Sequence, residues 1–135
     1  IKMHGFLQQS ELKHFYSKAS LFIMPSHSDP WGLVINEALS SGVPVIASVK
    51  AGGTCDLIIN DYNGYVFEPG DVEELVGKIQ TYLSLTKEEK NLMRNNSRDY
   101  IKHFSMEKSN DGFVEAINNQ PNLSWITFKE KTKFY

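Results

Sequence analysis

The sequence predicts an α/β fold built on a parallel β-sheet, and three features of the chain support this prediction. Residues 21–24 and 43–47 are continuous apolar runs, which are typical of strands buried on both faces. Residues 33–41 lie between them and have a helical pattern, which supplies the crossover that a parallel pair of strands needs. Strand and helix patterns alternate up to residue 84, which favours a Rossmann-like sheet with helices on both faces and a helical C-terminal end.

The chain before residue 21 is expected to contribute a short strand and a helix. Residues 1–6 have the pattern of a strand that leads into a loop at Gly5. Ser10 is a residue type that favours a helix N-cap. The residues that follow at the spacing of one helical face are Leu12, Phe15, Tyr16 and Ala19.

After residue 47 the sequence predicts a short helix, a third strand and a long helix. Thr54 is expected to cap a helix over residues 55–59, and residues 65–67 form the strand. Asp71 is the expected N-cap of the long helix. The apolar stripe of this helix consists of Val72, Leu75, Val76, Ile79 and Leu83.

The last part of the chain predicts two more helices and a tail. Residues 86–89 form a capping box that opens a helix reaching about residue 104. Ser105 is expected to cap a final helix, and the tail at 120–135 to be loosely ordered or to dock on another domain. The apolar residues of the final helix are Met106, Phe113, Val114 and Ile117.

Composition limits the classes of function. A formal net charge of -2 over 135 residues gives no reason to expect nucleic-acid binding. The single cysteine, Cys55, cannot form an internal disulfide, which favours a reducing compartment. No apolar run approaches the ~20 residues of a spanning helix, and the first residues do not resemble a signal peptide. The four histidines have no metal-ligand spacing, so no metal site is expected.

The junction between the loop at 26–30 and the helix at 33–41 concentrates the residues that can carry chemistry. Gly32 lets the backbone approach a ligand closely. The N–H groups of the first helical turn have no partner inside the helix, and the helix dipole favours an anion there. Asp29 in the loop and Glu37 in the helix can accept hydrogen bonds from sugar hydroxyls. The pattern favours a phosphate at the helix start with neutral hydroxyl groups beside it.

Residues 29–48 resemble the signature of a known family. They read DPWGLVINEALSSGVPVIAS. This is similar to the motif of the group 1, glycogen-synthase-like retaining glycosyltransferases, which has a Glu, seven residues, a second Glu, small residues, then Gly-x-Pro-Val and a short strand. Asp29 stands where the family has its first Glu and is one methylene shorter, whereas Glu37 matches the second Glu. The resemblance extends over about residues 3–118.

The resemblance implies roles for individual residues. Glu37 would hold the ribose of a nucleotide-diphosphate sugar and Asp29 the transferred sugar, so both are the catalytic candidates. This sugar nucleotide is the donor substrate, and neither a metal nor a further cofactor is implied. The other donor-binding candidates are Gly32, Leu33 and Val34 at the diphosphate, and Gly5 and Phe6 beside the base.

The resemblance also implies a larger architecture. Residues 1–119 would be part of the nucleotide-sugar-binding, C-terminal domain of a two-domain GT-B enzyme. A glycan, lipid or small-molecule acceptor would bind to an N-terminal domain. Because the acceptor would bind to that other domain, we expect the isolated chain to be inactive. With strand order 3-2-1-4-5-6, the first strand here would lack a neighbour, so we also expect the isolated chain to self-associate. The whole enzyme is expected in the cytoplasm, or at the inner face of the membrane as a peripheral protein.

Other interpretations stay open for the whole chain. A non-catalytic module for nucleotide-sugar binding or interaction would have the same donor site, and an upstream Rossmann-like domain with a Gly-rich loop would argue against it. A nucleotide-sugar epimerase of the GT-B architecture is a third function.

Single residues near the junction also have two interpretations each. Residues 51–54 are either a turn with a helix cap or a second wall of backbone amides on the ligand cleft. Trp31 either stacks on a ligand ring or anchors the loop, and Lys50 either contacts a phosphate or is solvated. His27 has no third partner for acid–base chemistry, so we expect it at the surface.

Overall fold

The structure, a computed structural model, describes residues 1–118, without the side chains of Gln9, Met106, Glu107, Ser109 and Phe113. The predicted tail at 120–135 therefore lies outside the described residues. The strands are β1 (Phe22–Met24), β2 (Val45–Ser48) and β3 (Gly64–Phe67). The helices are α1 (Gln9–Lys18), α2 (Leu33–Ser40), α3 (Thr54–Leu57), α4 (Val72–Ser84), α5 (Lys87–Ile101) and α6 (Met106–Asn118), with a 3₁₀ turn at Lys102–Phe104.

The three strands form a parallel sheet in the order β1-β2-β3, as the sequence predicts. Ile46 of β2 lies between Ile23 of β1 and Tyr65 of β3 in the register. Because neighbouring strands are parallel, their carboxyl ends meet at one edge of the sheet. The loops that follow β1 and β2 therefore start side by side.

Two apolar clusters cover the two faces of the sheet, which confirms the prediction of helices on both faces. One cluster joins Val45 and Ala47 of β2 to buried residues of α1, α2 and α3. The other joins Ile46 of β2 to Tyr65 and Phe67 of β3 and to helices α4 and α5. Alternate residues of β2 thus point to opposite faces, and all four residues of this strand are buried.

β1 is less buried than its apolar run predicts. Ile23 is 36% exposed, although its neighbour Ile46 in the register is fully buried. The prediction that β1 is buried on both faces is therefore wrong. The reason is that β1 is the edge strand of the described sheet. The second apolar cluster covers Ile46 but does not include Ile23.

Residues 1–6 are not a strand, which corrects the prediction for this segment. The segment does not pair with the open edge of β1, so its backbone hydrogen bonds are not placed in a ladder. Its side chains are exposed, and Gly5 adopts a positive φ of 65°. A strand-like sequence pattern alone cannot stabilise an unpaired strand.

Helix α1 begins differently from the prediction. Gln8, not Ser10, is the N-cap, and its N–H donates to the Glu11 carboxylate at 2.8 Å in a capping box. Leu12, Tyr16 and Ala19 face the first cluster as expected, but Phe15 is 38% exposed. The apolar face of α1 is therefore narrower than the sequence pattern indicates.

Helix α4 buries a stripe different from the predicted one. Leu75 and Ile79 pack on the second cluster, whereas three other predicted members, Val72, Val76 and Leu83, are exposed. Tyr82 takes the buried position at 2% exposure, and its hydroxyl donates to the Ser20 carbonyl. An aromatic ring with a polar end can fill this position because that carbonyl accepts its hydrogen bond.

The predicted caps of the C-terminal helices are confirmed. The Asp71 carboxylate accepts from the Glu74 N–H at 2.8 Å, and Thr86 with Glu89 forms the capping box of α5. The Ser105 hydroxyl accepts from the Lys108 N–H at 3.3 Å at the start of α6. Each of these caps joins residues three apart, so a local sequence pattern can indicate it.

The chain divides into two compact units, and the second begins at Phe104. The first unit holds the sheet and helices α1 to α5. In the second unit, Val114 and Ile117 of α6 are each more than half exposed, at 55% and 54%. Among the described residues no helix is both long enough and apolar enough to cross a membrane.

Candidate functional site

The loop between β1 and α2 turns sharply into the helix at Gly32. This residue is the N-cap of α2 and has a φ of 78°, a conformation that favours glycine. A Cβ there would meet Ile35 Cδ1 at 3.2 Å and Met24 Sδ at 3.3 Å. Gly32 thus allows the loop to enter α2 at the carboxyl edge of the sheet.

The start of α2 is an open group of backbone donors. The Ile35 N–H bonds to the Gly32 carbonyl at 2.8 Å, but in residues 1–118 the N–H groups of Leu33 and Val34 have no backbone acceptor. The side chains of Leu33 and Val34 are 70% and 36% exposed, so solvent reaches this turn. Unpaired N–H groups at the positive end of a helix can hold an anion such as a phosphate.

Asp29 lies in the loop before this turn. Its carboxylate accepts the Trp31 N–H at 3.0 Å, which is the geometry of an Asx turn. Its backbone N–H donates to the Lys50 carbonyl at 3.2 Å. Asp29 therefore has a structural role in the loop, and its predicted contact with a sugar stays a prediction.

Glu37 lies farther along α2 and is held by a tyrosine of α1. The Tyr16 hydroxyl donates to the Glu37 carboxylate at 3.1 Å, and Tyr16 is only 9% exposed. Burial, and then the nearby Glu37 charge, raise the pKa of Tyr16 from 10.0 to about 12. Tyr16 therefore stays protonated as a hydrogen-bond donor, and it fixes the carboxylate in one position.

A shallow pocket opens beside this pair. It encloses about 140 Å³ and is lined by Leu12, Lys13, Tyr16, Glu37, Ser40 and Ser41. Sites for drug-sized ligands typically enclose ~300–1,000 Å³, so this pocket suits one part of a larger ligand. Tyr16 was not predicted as a site residue. Its position on an apolar helical face could have indicated this role, because the hydroxyl of a buried tyrosine needs a polar partner.

The glycine pair at 52 and 53 joins the two loops at the carboxyl edge. The Gly52 N–H bonds to the Asp29 carbonyl at 2.9 Å, and the Gly53 N–H bonds to the Trp31 carbonyl at 2.8 Å. These two amides are thus used within the protein. Of the two interpretations of residues 51–54, the structure supports the turn, not a wall of free amides.

Thr54 is the first residue of α3, and Gly53 is its N-cap. The predicted capping role of Thr54 is therefore wrong. Its hydroxyl is fully buried and has no hydrogen-bond partner in the described part of the chain.

Trp31 is both an anchor and an accessible ring. Its indole N–H donates to the Asn36 side chain at 3.1 Å, and a Cβ on Gly53 would lie 3.3 Å from the ring. The side chain is still 40% exposed. Anchoring is the role that these contacts support, and stacking on a ligand stays a prediction.

The predicted base-binding residues, Gly5 and Phe6, are exposed in the segment before α1. Phe6 is 89% exposed, and a Cβ on Gly5 would meet nothing within 4 Å. The neighbouring His4 ring packs edge-on against Phe15 of α1, with the ring centres 4.5 Å apart. The contact of Gly5 and Phe6 with a base stays a prediction.

Metal ligands are not clustered in the described part of the chain. No group of three or more His, Cys, Asp or Glu side chains could hold a metal ion there. The polar candidate groups are the N–H groups at the start of α2, the Asp29 loop before it and the Tyr16–Glu37 pair farther along the same helix. These groups suit a ligand with an anionic part and neutral hydroxyls.

Residues 1–100 match the family of glycosyl transferases, group 1, and the chain belongs to this family. The sulfoquinovosyl transferase SQD2 of Arabidopsis thaliana is 48% identical over 82 residues, which cover 58% of this chain and 16% of that protein. The resemblance seen in residues 29–48 is thereby confirmed.

Solved structures agree with the family. Sucrose-phosphate synthase from Thermosynechococcus elongatus has a TM-score of 0.73 at 27% identity, over 88% of this chain and 31% of its own. Anabaena HepE in complex with UDP has a TM-score of 0.67 at 28% identity, over 78% of this chain and 29% of its own. The predicted α/β fold, as part of a GT-B glycosyltransferase, is confirmed. The chain spans less than a third of each of these relatives.

Proposed function

We propose that this chain is the donor-binding part of a retaining glycosyltransferase, which moves a sugar from a nucleotide-diphosphate sugar to an acceptor. One observation carries the proposal: α2 combines open N–H groups at its start with the fixed carboxylate of Glu37 beside a pocket. The likeness to HepE, which has been solved with UDP and with UDP-glucose, supports this class of donor.

In the proposed mechanism the diphosphate lies at the start of α2. Negative charge grows on its oxygens as the bond to the transferred sugar breaks. The N–H groups of Leu33 and Val34 are already in place, so they stabilise this charge more in the transition state than in the ground state. Glu37 accepts hydrogen bonds from the ribose and Asp29 from the transferred sugar. The proposal assigns no step to a metal.

The acceptor, which receives the transferred sugar, binds outside the contacts described above. We expect a glycan, a lipid or a small molecule, held by another domain across the cleft from α2. A location in the cytoplasm, or at the inner face of the membrane, belongs to the same proposal.

Replacing Glu37 tests the donor site. In the full-length protein, Glu37→Ala should weaken nucleoside-diphosphate binding by about 2–4 kcal/mol, because hydrogen bonds to a charged group are each worth ~1.5–3 kcal/mol. Calorimetry with a panel that includes UDP measures the change. Glu88→Ala removes an exposed carboxylate on α5 and is the matched control. Unchanged affinity and turnover in Glu37→Ala would remove this residue from the site.

A non-catalytic nucleotide-sugar-binding module is the second candidate, and the Asp29 contact favours it. The short side chain already uses its carboxylate in the Asx turn with Trp31. A protein that binds the donor but never transfers or hydrolyses the sugar, with any acceptor in a broad panel, would be this module.

A further inference from the structure

A second polar cavity lies at the opposite edge of the sheet from the candidate donor site. Ser20 comes two residues before β1, at the amino end of the strand, whereas the Asp29 loop follows the carboxyl end. The cavity encloses about 410 Å³. Its lining residues are Ser20, Tyr82, Lys87, Lys90, Asn91 and Arg94, which include three cations and no carboxylate.

Neutral carbonyl groups, not carboxylates, position two of these cations. The Arg94 guanidinium donates to the Ala19 carbonyl at 2.9 Å, and the Lys90 ammonium donates to the Leu83 carbonyl at 2.9 Å. Lys90 also lies 5.6 Å from the centre of the Tyr82 ring. A carbonyl orients a cation without cancelling its charge, so the cavity keeps a positive potential.

One nearby carboxylate, Glu89, compensates part of this potential. In residues 1–118 the ion pairs join Lys78 to Glu74 and Lys102 to Asp99, so none involves the cavity. Glu89, a carboxylate in the first turn of α5, accepts the Thr86 N–H at 2.7 Å in the capping box. The hydrogen bonds with Thr86, and then the nearby Lys90 charge, lower the pKa of Glu89. This carboxylate is therefore ionised and offsets part, but not all, of the charge of the three cations.

Helical spacing explains why the cations share one surface. Lys87, Lys90 and Arg94 follow each other at i, i+3 and i+7 on α5. Lys87 is the first residue of this helix, where a cation lies against the positive end of the dipole. An anion bound in the cavity would relieve that repulsion.

We propose that this cavity binds a phosphate group. Arg94 has further N–H donors beyond the one used on Ala19, the two lysines supply compact charges, and Ser20 and Asn91 add neutral donors. The phosphate belongs either to a soluble phosphate ester or to the headgroup of an anionic lipid. This site is separate from the proposed donor site and does not depend on it.

The test compares the full-length protein with a double variant, Lys87→Gln with Lys90→Gln. The matched control is Lys78→Gln with Lys108→Gln, which removes the same charge outside the cavity. One arm titrates inorganic phosphate by calorimetry. The other sediments the protein with phosphatidylglycerol vesicles and with phosphatidylcholine vesicles. Phosphate can also bind at the start of α2 in all of these proteins. The informative quantity is therefore the difference in affinity between the Lys87/Lys90 double variant and both the wild type and the control.

We expect the cavity variant to lose at least tenfold in affinity in one arm, and the control to bind like the wild type. A loss with free phosphate alone assigns a soluble ester, and a loss with phosphatidylglycerol vesicles assigns a lipid headgroup. Lys87→Gln by itself repeats the test without touching the Lys90–Leu83 contact, should the double variant misfold. Equal binding by the wild type and the cavity variants in both arms, or an equal loss in the control, overturns the proposal.

Discussion

Tyr16 links the core of the protein to its candidate site. Its ring packs in the first apolar cluster, and its hydroxyl donates to Glu37 at 3.1 Å. A single side chain thus connects the stability of α1 with the position of a carboxylate on α2. This coupling is open to measurement at high pH.

We predict that Tyr16 makes the protein lose stability between about pH 10 and 12. The folded state raises the pKa of Tyr16 to about 12, above its ordinary value of 10.0, so the unfolded state releases the proton first. Its contribution is complete below pH 10 and is lost as the pH rises towards 12. Denaturant titrations at several pH values should show a smaller loss in Tyr16→Phe than in the wild type. Tyr62→Phe, at an exposed ring, is the control, and equal losses in all three proteins would contradict the prediction.

Asp29 allows a sharper test than removal of its side chain. Asp29→Asn keeps an oxygen for the Trp31 N–H but loses the charge, so the Asx turn survives. We expect lower turnover with unchanged nucleoside-diphosphate affinity, because the predicted partner of Asp29 is the sugar. Asp29→Glu restores the family residue and should alter the sugar preference or the rate. Steady-state kinetics and calorimetry separate these effects, and a fall in nucleotide affinity as large as that of Glu37→Ala would show that the assignment is wrong.

At the scale of elements, the two loops at the carboxyl edge hold each other through close backbone contacts. A Cβ on Gly52 would collide with the Pro30 carbonyl oxygen, and one on Gly53 would lie 2.7 Å from the Trp31 carbonyl oxygen. The loop before α2 and the turn before α3 therefore form one unit. Their geometry determines where the open end of α2 lies.

Gly52→Ala should separate these loops, and Gly77→Ala provides a matched comparison. A forced contact with backbone typically costs ~1–3 kcal/mol, so we expect Gly52→Ala to destabilise the protein by about that amount. Gly77 lies in α4, where an added Cβ would meet nothing within 4 Å, and Gly77→Ala should stabilise the protein by about 0.4–1 kcal/mol. Urea denaturation gives both values. Destabilisation of similar size in both variants would mean that close approach of the loops is not the cause.

At the scale of the whole molecule, β1 has an open edge. It pairs with β2 on one side, and no strand of residues 1–118 pairs with the other. Unpaired strand edges promote association between chains. The exposure of Ile23 adds an apolar surface at the same place.

We predict that the 135-residue chain by itself self-associates through β1. Ile23→Lys should lower the average mass in light scattering, because a charge on an edge strand opposes pairing. Ile59→Lys is the control, since Ile59 is 43% exposed and lies outside the strands. A wild-type chain that is monomeric at all concentrations, or equal effects of the two variants, would refute the prediction.

The sequence by itself was sufficient for several local features, although the caps predicted at Ser10 and Thr54 were wrong. The caps at Asp71, Thr86 and Ser105, the order of strands and helices after residue 6, and the family motif at 29–48 were all predicted and found. At the caps the residues that interact lie three apart along the chain, so local physical chemistry specifies the outcome.

Only the tertiary structure decided the features that join distant residues. Tyr16 and Glu37 are 21 residues apart, and Tyr82 and Ser20 are 62 apart, so no helical or strand period relates them. The predicted strand at 1–6 is absent for the same reason, because a strand exists only when another strand pairs with it. Burial and pairing are set by which elements pack together, and that choice lies beyond the local pattern.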